Sequence, residues 1–446
     1  ETPHIDALAA GGLRFTDAHP NASVCGPTRR AIMTGRYNWR FGATVNHGPW
    51  GFCGPRPNTE KATLGKLLRR SGYRTGYVGK WHLGTTMVTR DGKTQGLTNV
   101  DFKKPLIYGP VQFGFDYSFI LPGSLDMYPY AYARNNAWQG EITARKGWSA
   151  FNRVGPAEKD FQDHEVLETF YTEAETFIGQ QQKDQPFFLF LALTAPHTPT
   201  SPGVKWRGKS KLGVYGDFVM EVDHSIERVM NALKAKGLDQ NTLVLFSSDH
   251  GPAPYAGNIL KATPGQIKRL EASGHYPSGP HRGYKFSIYE GGLRVPLIIN
   301  WPGQTKPGSV SDQPVISTDF YPTILAVTGQ PARPHQHVDG KNLVPLLTGK
   351  GSLQRDAIYW HYPHYNRHPH SFPSAVVRAG NWKLIEAFET GNLSLYDLDN
   401  DLGETTDLAS QDPERVKKLQ AMLNNWQREV GADLMRPNFQ FTGDRR

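Results

Sequence analysis

Three predicted strands, each followed directly by polar and titratable side chains, constrain the fold of this chain more than any other feature. They lie at residues 73–78, 187–193 and 242–246. The second and third are continuous apolar runs, which are typical of strands buried on both faces of a parallel sheet. A long helix is predicted between them, at about 216–236, from apolar residues at helical spacing. This alternation predicts an α/β fold.

The hydrophobic pattern also divides the 446-residue chain into two parts. Residues 1–349 are predicted to form a large domain whose mixed, mostly parallel sheet is sandwiched by helices. Residues 350–446 change to short alternating strands and a final helix, which predicts a smaller C-terminal α+β subdomain with an antiparallel sheet. Its predicted elements are strands at 357–362, 374–379, 382–388 and 393–398 and a helix at about 413–430.

The polar residues after the three strands are far apart in sequence but are expected to meet. In open α/β sheets the ligand site lies beyond the carboxyl ends of the strands. Because each strand delivers such residues at that end, one cluster is predicted there. Its members are Lys80, His82, His197, Asp249 and His250.

Cys25 stands at the predicted start of a short helix within the run VCGPTRRAIMTGR, and Gly35 ends that helix. The helix N-terminus favours an anion, and Arg29 and Arg30 add positive charge. A thiol in this place is expected to be reactive, although a lone cysteine is more often a small buried hydrophobic residue. A cysteine-dependent phosphatase is excluded, because such enzymes need Arg six residues after Cys, and position 31 is Ala.

This run resembles the signature of the sulfatase family, Cys-x-Pro-Ser/Thr-Arg followed by Thr-Gly-Arg. The stretch GKWHLG at residues 79–84 is also similar to sulfatases, as is the Leu-Tyr-Asp-Leu run at 395–398. The chain is therefore identified as a member of the type I, formylglycine-dependent sulfatases of the alkaline phosphatase superfamily. In that family a separate maturation enzyme oxidises the Cys, here Cys25, to formylglycine, whose hydrate is the nucleophile. The resemblance implies a sulfuric ester hydrolase acting on a sulfated carbohydrate or polysaccharide.

The resemblance also implies a role for each clustered side chain. The residues implied to be catalytic are Cys25, Arg29, Lys80, His82, His197 and Lys285. In the family mechanism the arginine and the two lysines hold sulfate oxygens. The departing alcohol is protonated by His197 or Lys285, and His82 takes a proton as sulfate is released. Asp249, His250 and Cys25 are the implied metal ligands. Calcium is the expected ion, with magnesium or another divalent ion left open because imidazole is an unusual calcium ligand.

Several further residues are candidates for contact with the substrate. Ser124, in Leu-Pro-Gly-Ser, can touch sulfate in the family manner, and the others would recognise the sugar. These others are His281, Arg282, His361 and His364. A basic loop and the rest of a His-rich stretch are weaker candidates, since a charge run is usually a solvated face; they comprise Lys205, Arg207, Lys209, Lys211, Arg367, His368 and His370.

Composition narrows the class of partner. The net charge of +9 attracts polyanions, including sulfated polysaccharides. No basic run with interleaved aromatic residues indicates a nucleic-acid module, and no apolar run is long enough to span a bilayer. With Cys25 reserved for chemistry, Cys53 has no partner, so no disulfide framework is expected.

The start of the sequence bears on the metal site and on the cell compartment. The chain opens at Glu1 with a predicted helix at 3–10. Sulfatases carry an earlier apolar strand that ends in a metal-binding Asp-Asp pair, and this pair is not in the sequence. The expectation is that either the sequence is truncated or half of the metal site is lacking. A periplasmic or secreted location is expected from the family.

Two alternatives stay open at this point. A phosphodiesterase or phosphonate monoester hydrolase of the same superfamily can share the Cys-x-Pro-x-Arg motif. A sulfated-glycan binding protein without activity is the other, and the absent Asp-Asp pair is its support.

Overall fold

A computed structural model describes residues 1–41, 51–56, 62–147, 153–254, 266–365 and 370–435. It is a mixed α/β fold with a C-terminal antiparallel sheet, so the predicted fold class is confirmed. Within these ranges, no helix is both long enough and apolar enough to cross a membrane.

The predicted helices are present, and the first and last have the predicted bounds because a proline opens each of them, whereas α4, α6, α7 and α9 were not predicted. They are α1 Pro3–Ala10, α2 Cys25–Thr34, α3 Leu64–Arg70, α4 Val166–Gly179, α5 Gly213–Ala235, α6 Gln266–Ala272, α7 Glu290–Leu293, α8 Phe320–Val327, α9 Val344–Leu347 and α10 Pro413–Val430.

The strands are mostly short, and several of two or three residues were not predicted. They are β1 Leu13–Phe15, β2 Ala18–His19, β3 Arg74–Lys80, β4 Tyr117–Leu121, β5 Ala133–Arg134, β6 Ala137–Trp138, β7 Ala144–Lys146, β8 Gly155–Ala157, β9 Phe187–Ala192, β10 Val244–Ser247, β11 Leu297–Asn300, β12 Ser309–Ser311, β13 Val315–Ile316, β14 Ile358–Tyr362, β15 Ser374–Ala379, β16 Trp382–Ala387 and β17 Leu393–Asp397.

The strands that carry the predicted site residues belong to two sheets. One sheet has the order β6-β5-β4-β3-β9, and its strands β4, β3 and β9 run parallel to one another. The other has the order β10-β11-β1-β12, in which β11 runs antiparallel to both of its neighbours. The carboxyl ends of β3, β9 and β10 nevertheless lead to one site.

A cavity of about 930 Å³ separates these two sheets. It is lined by β9, β10 and the apolar face of α5, including Val219, Val222 and Ile226. The prediction that β9 and β10 are fully buried is wrong for this structure, because nearly all of their residues are only half-buried. The reason is pairing: among the described strands, β9 pairs with β3 and β10 with β11, each on one edge.

The C-terminal sheet has the antiparallel order β14-β15-β16-β17 and packs against α10. Its buried face shares one hydrophobic core with residues of the large domain, among them Trp39 and Leu293. The indole N–H of Trp360 donates to the carbonyl of Pro20. Apolar packing thus joins the two parts of the chain.

A buried group of charged residues, here called the interdomain ion network, joins the same two parts. Its members are Asp17, Glu290, Arg294, Arg378, Lys383 and Glu404. The ammonium of Lys383 lies 3.0 Å from Glu290 and 2.8 Å from Glu404, all without solvent exposure. Three carboxylates therefore face three cations. His19 lies against them, and burial lowers the pKa of its imidazole despite Glu290 beside it, which keeps the charges balanced.

Candidate active site

Cys25 is the first residue of α2, a helix that is buried along its whole length. Extended backbone at Val24 leads into the helix, and Gly35 ends it in the left-handed conformation at φ 66°. Because Cys25 stands in the first turn, its side chain lies where the unpaired N–H groups of the helix favour negative charge. Its exposure is 3%, so it sits at the bottom of the site rather than at its rim.

Arg29 lies one turn along α2 and contacts two other strand ends. Its Nε donates to Asp249 at 2.8 Å, and a terminal nitrogen donates to the carbonyl of Lys80 at 2.9 Å. Arg30 points elsewhere, with its guanidinium 5.3 Å from the ring of Phe41. Of the two arginines in the motif, Arg29 is the one at the site.

Strand β3 places Lys80 and His82 beside α2. Gly79 allows β3 to approach β9 closely: its φ is +117°, and a Cβ there would lie 2.0 Å from the carbonyl oxygen of Ala192. His82 follows at φ 52°, an uncommon conformation for a residue with a side chain, and its N–H donates to Pro122. Strained residues are typical of functional sites, and this one turns an imidazole toward the sulfur of Cys25.

Lys285 reaches the site because the backbone around it is pinned at two points. Its own N–H donates to Pro252 at 2.8 Å, and the N–H of Phe286 donates to Ser23 at 3.0 Å. Ser23 lies two residues before Cys25, and Pro252 lies two residues after His250. These two hydrogen bonds bring Lys285 between two parts of the predicted cluster.

His197 lies half-buried in the loop after β9, beside Lys285. Its Nδ1 donates to the carbonyl of Thr198 at 2.6 Å, so its Nε2 is the acceptor for the ammonium of Lys285 at 2.9 Å. Burial lowers the pKa of the His197 imidazole to about 3, and the positive charge of Lys285 contributes further. Asp126 opposes that shift from 3.9 Å away.

The electrostatics of the site favour an anion at position 25. Burial by itself would raise the pKa of the Cys25 thiol, but Lys285 and Lys80 outweigh it, and hydrogen bonds from His250 and His82 add to their effect. The result is a thiol pKa well below its usual range. Any negatively charged group that takes this position is stabilised by the same neighbours.

Cys25, Asp249 and His250 offer three ligand atoms within 4.8 Å of one another. The Nδ1 of His250 donates to Gly251, so its Nε2 is left for a ligand, and this nitrogen lies 3.5 Å from an oxygen of Asp249. Donors at about 2.1–2.5 Å from one cation and roughly at right angles have such a separation. The set therefore fits part of the coordination shell of a divalent ion.

Ser124 and Asp126 lie in the loop that follows β4, which Ser124 and Met127 close with paired backbone hydrogen bonds. Both side chains are buried, Ser124 completely. The hydroxyl of Ser124 has no hydrogen-bond partner among the described residues. Asp126 was not predicted as a site residue, since a single aspartate in a loop has no distinguishing pattern.

The structure contradicts one predicted substrate contact. His361 is 2% exposed, lies within β14 and packs beside Trp39 and Phe388. Its Nε2 bonds to the carbonyl of Asp433. The strand turns this imidazole into the subdomain core, so the expectation that His361 contacts the sugar is wrong.

The other predicted sugar contacts are placed differently. His364 is half-buried, 5.4 Å from the ring of Tyr362. Arg282 donates to the carbonyl of Glu404, and its guanidinium lies 4.0 Å from the centre of the Tyr289 ring. These contacts place Arg282 where the two parts of the chain meet. His281 precedes it there and is half-buried.

The weaker candidates fall into two groups. Arg367 and His368 lie outside the described residues, whereas His370 is described and exposed. In the basic loop, Lys205 bonds to the hydroxyl of Tyr171 at 3.1 Å, and Lys209 lies over the ring of Trp206. These contacts attach the loop to α4 and to itself.

Comparison with known proteins decides the family. The model of the sulfatase family matches residues 1–330, almost three quarters of the chain. The chain belongs to the sulfatase family. A second family model, for the C-terminal part of N-sulphoglucosamine sulphohydrolase, matches residues 279–430. This sulfatase is therefore a sulfuric ester hydrolase of the alkaline phosphatase superfamily, a family that implies a divalent metal at the site.

Its relatives include carbohydrate sulfatases. It is 30% identical to an N-acetylgalactosamine-6-O-sulfatase of Bacteroides thetaiotaomicron, over 95% of this chain and 88% of the relative. It is 31% identical to human arylsulfatase A, over 86% and 69% of the two chains. A solved sulfatase structure from work on glycosaminoglycan metabolism by Bacteroides thetaiotaomicron matches it with a TM-score of 0.79 at 27% identity, covering 96% of this chain and 94% of that one.

Proposed function

We propose that this sulfatase removes sulfate from a sulfated carbohydrate, with residue 25 as the nucleophile. The observation that carries the proposal is the surrounding of Cys25. One sulfur position at a helix N-terminus is contacted by two imidazoles and flanked by two buried lysines. A tetrahedral sulfate group matches such an arrangement of donors and positive charges.

The residues around Cys25 would divide the reaction between them. Arg29, Lys80 and Lys285 provide fixed positive charge for the sulfate oxygens, and preorganised charge of this kind is often the largest catalytic contribution. Nε2 of His197 is the nitrogen that can hold a proton for the departing alcohol. The imidazole of His82, which contacts residue 25, is placed to accept a proton there during the release of sulfate.

Two groups implied by the family complete the proposal. Cys25, Asp249 and His250 would hold the divalent metal, with Ca²⁺ as the expected ion. When bound, it would polarise the sulfate oxygens as a Lewis acid. Conversion of Cys25 to formylglycine by a maturation enzyme would supply a hydrated aldehyde, which offers one hydroxyl for attack and a second for release. Export to the periplasm or outside the cell is part of the same family-based proposal.

The substrate class rests on the relatives and on charge. The relative from Bacteroides thetaiotaomicron is named for N-acetylgalactosamine 6-sulfate, and the solved structure comes from glycosaminoglycan metabolism. The net charge of +9 favours approach of a polyanionic chain. A sulfated amino-sugar polysaccharide is the substrate that agrees with all three observations.

The test combines modification with activity. Mass spectrometry of the Cys25 peptide should reveal the aldehyde in protein produced with a maturation enzyme and the thiol in protein produced without it. Only the former should release sulfate from N-acetylgalactosamine 6-sulfate and from an aryl sulfate. An aryl phosphodiester is the control substrate. Faster turnover of the phosphodiester than of either sulfate ester would contradict the proposal.

A further inference from the structure

Asp126 is a buried carboxylate that the reaction outlined above does not use. It is 3% exposed, and one of its oxygens, Oδ1, has no hydrogen-bond partner among the described residues. Burying a charged oxygen without a partner is costly. Such an oxygen is therefore expected to have an electrostatic role.

The loop holds this carboxylate in one orientation. Arg153 binds it from one side, with a terminal guanidinium nitrogen 3.2 Å from the carbonyl of Asp126 and 3.4 Å from Oδ2. The backbone pair between Ser124 and Met127 closes the turn around it. With Oδ2 fixed in this way, Oδ1 faces the Nδ1 side of His197 at 3.9 Å.

Asp126 also interacts with several positively charged groups of the site. Despite burial, which would raise it, the pKa of the Asp126 carboxyl is lowered by His197, Lys80, Lys285 and Arg153 together. The group is thus a carboxylate when the enzyme works near neutral pH. Asp249 is bound by Arg29, whereas Oδ1 of Asp126 lies 3.9 Å from Nδ1 of His197, on the opposite side of the ring from the nitrogen that binds Lys285.

The chemistry that needs this charge is protonation of the departing alcohol. A sugar alkoxide is a poor leaving group, so its oxygen must receive a proton as the bond to sulfur breaks. His197 is surrounded by Lys80 and Lys285, and positive neighbours disfavour a second proton on an imidazole. A carboxylate on the far side of the ring counters this, as in other pairs of histidine and acid.

We propose that Asp126 is a positioning residue that acts through His197, stabilising the protonated imidazole while the leaving oxygen is protonated. The proposal rests on the proposed function. The proton passes from the ammonium of Lys285 to Nε2 along their 2.9 Å hydrogen bond and then to the leaving oxygen. As the oxygen of residue 25 forms its bond to sulfur, the bond between sulfur and the leaving oxygen breaks, and its electron pair stays on the leaving oxygen. His197 returns to the neutral form, and water later reprotonates Lys285.

The experiment is a leaving-group series on the mature enzyme. Sulfate esters of increasingly basic phenols, ending with a sugar sulfate, are compared for the wild type, Asp126→Asn, His197→Ala and the double variant. Asp126→Asn should lower kcat/KM for the sugar sulfate by about 10²-fold, the usual size of a general-acid contribution. The most acidic phenol needs little protonation, so its ester should be almost unaffected, and the loss should lie in kcat rather than KM.

The double variant and a control separate positioning from structure. If Asp126 acts through His197, kcat/KM should fall no more steeply with the basicity of the leaving group in the double variant than in His197→Ala. Asp217→Asn is the control: this buried carboxylate binds the N–H groups of Gly208 and Ser210, so its loss should affect all esters equally. Asp126→Ser gives the same comparison if the amide is not accommodated.

Two results would overturn the inference. One is an equal loss on every ester in the Asp126 variants, which would make the residue structural. The other is a further steepening in the His197→Ala background. A wild-type enzyme that hydrolyses none of the esters would instead remove the proposed function, and the inference with it.

Discussion

At the scale of single residues, the site is a set of buried charges that are matched to one another. Lys80, Lys285 and Cys25 are each only 2–3% exposed, and charges shielded from solvent in this way interact strongly. Asp249 and Asp126 supply the opposite sign. A sulfate ester entering the site therefore meets positive charge that has already been desolvated, which is the condition for strong electrostatic catalysis.

Cys25→Ser tests the need for two oxygens at position 25. A serine hydroxyl can attack sulfur once, but it offers no second hydroxyl to expel the sulfate. We expect one equivalent of alcohol to be released and the protein to keep one sulfate group. Rapid-quench kinetics would measure the burst and intact-protein mass spectrometry the retained group. Steady turnover at a rate near that of the mature wild type would contradict the mechanism.

At the scale of elements, the contact between β3 and β9 sets the position of two site residues. Gly79 lies one residue before Lys80 and three before His82, in a conformation that favours glycine. The adjacent strand leaves no room for a Cβ there. The spacing of these two strands is thus part of the geometry of the site.

Gly79→Ala should therefore destabilise the protein by at least about 3 kcal/mol and lower activity together with stability. Gly72→Ala is the matched control: Gly72 has a φ of +86° but open space around it, so only backbone strain of about 1–2 kcal/mol is expected. Urea denaturation would measure both. Equal losses would mean that the contact with β9 is not tight.

Glu221 of α5 is a buried acid that binds the loop before this helix. Glu221 is completely buried, one of its oxygens accepts from the N–H of Gly203, and burial raises its pKa to about 7. The folded state holds this proton more tightly than the unfolded chain, where the value is near 4.5. The stabilisation is present below the unfolded value and is lost as the pH rises through about 7.

Glu221→Gln should remove this loss of folding stability at high pH. Between pH 5 and pH 8 the wild type should lose up to about 3 kcal/mol relative to the variant. The two proteins should be close in stability at the lower pH. Urea denaturation at both pH values measures the difference, and an identical pH dependence of the two proteins would contradict the shifted pKa.

Local sequence signals account for most of the elements but not for how they combine. Prolines and glycines at helix ends predicted α1, α2 and α10, and alternating strands predicted the C-terminal sheet. Helix α4 and strand β4 were missed, although Phe170 and Phe177 of α4 are fully buried. The division of the main strands between two sheets depends on pairing partners, and no single stretch of sequence encodes those.

At the scale of the whole molecule, the interdomain ion network keeps the C-terminal sheet in contact with the large domain. Glu290 follows Lys285 by five residues, and its oxygens bind Lys383 from β16. The segment that carries a site lysine is therefore anchored to the other part of the chain. Because the network has no exposed member at its centre, removing one charge leaves another unpaired.

Lys383→Met should destabilise the protein by about 3–5 kcal/mol, the usual cost of leaving a buried charge unpaired. Adding Glu404→Leu removes one of the two carboxylates that lose their partner, so the double variant should recover part of the loss. Urea denaturation of both variants would measure their free energies of unfolding. A double variant less stable than the single one would show that the charges are not coupled.

The site was predictable to the extent that its residues follow strands or stand in family motifs. Cys25, Lys80, His82 and Asp249 meet as predicted because the strands end, and helix α2 begins, at one place. Asp126 and His361 depended on tertiary packing instead. The sequence around Asp126 does not distinguish it from other aspartates in loops. His361 stands in a His-rich stretch that suggests exposure, but within β14 its side chain is buried.

The complete burial of α2 bears on when Cys25 could be converted to formylglycine. Cys25 is 3% exposed, so an enzyme that converts it to formylglycine, as proposed above, would need access to the sulfur before the helix packs into the fold. We therefore expect this conversion to act on the nascent or still unfolded polypeptide. Protein that folds first would keep the thiol, so the fraction of converted molecules would depend on the relative rates of conversion and folding.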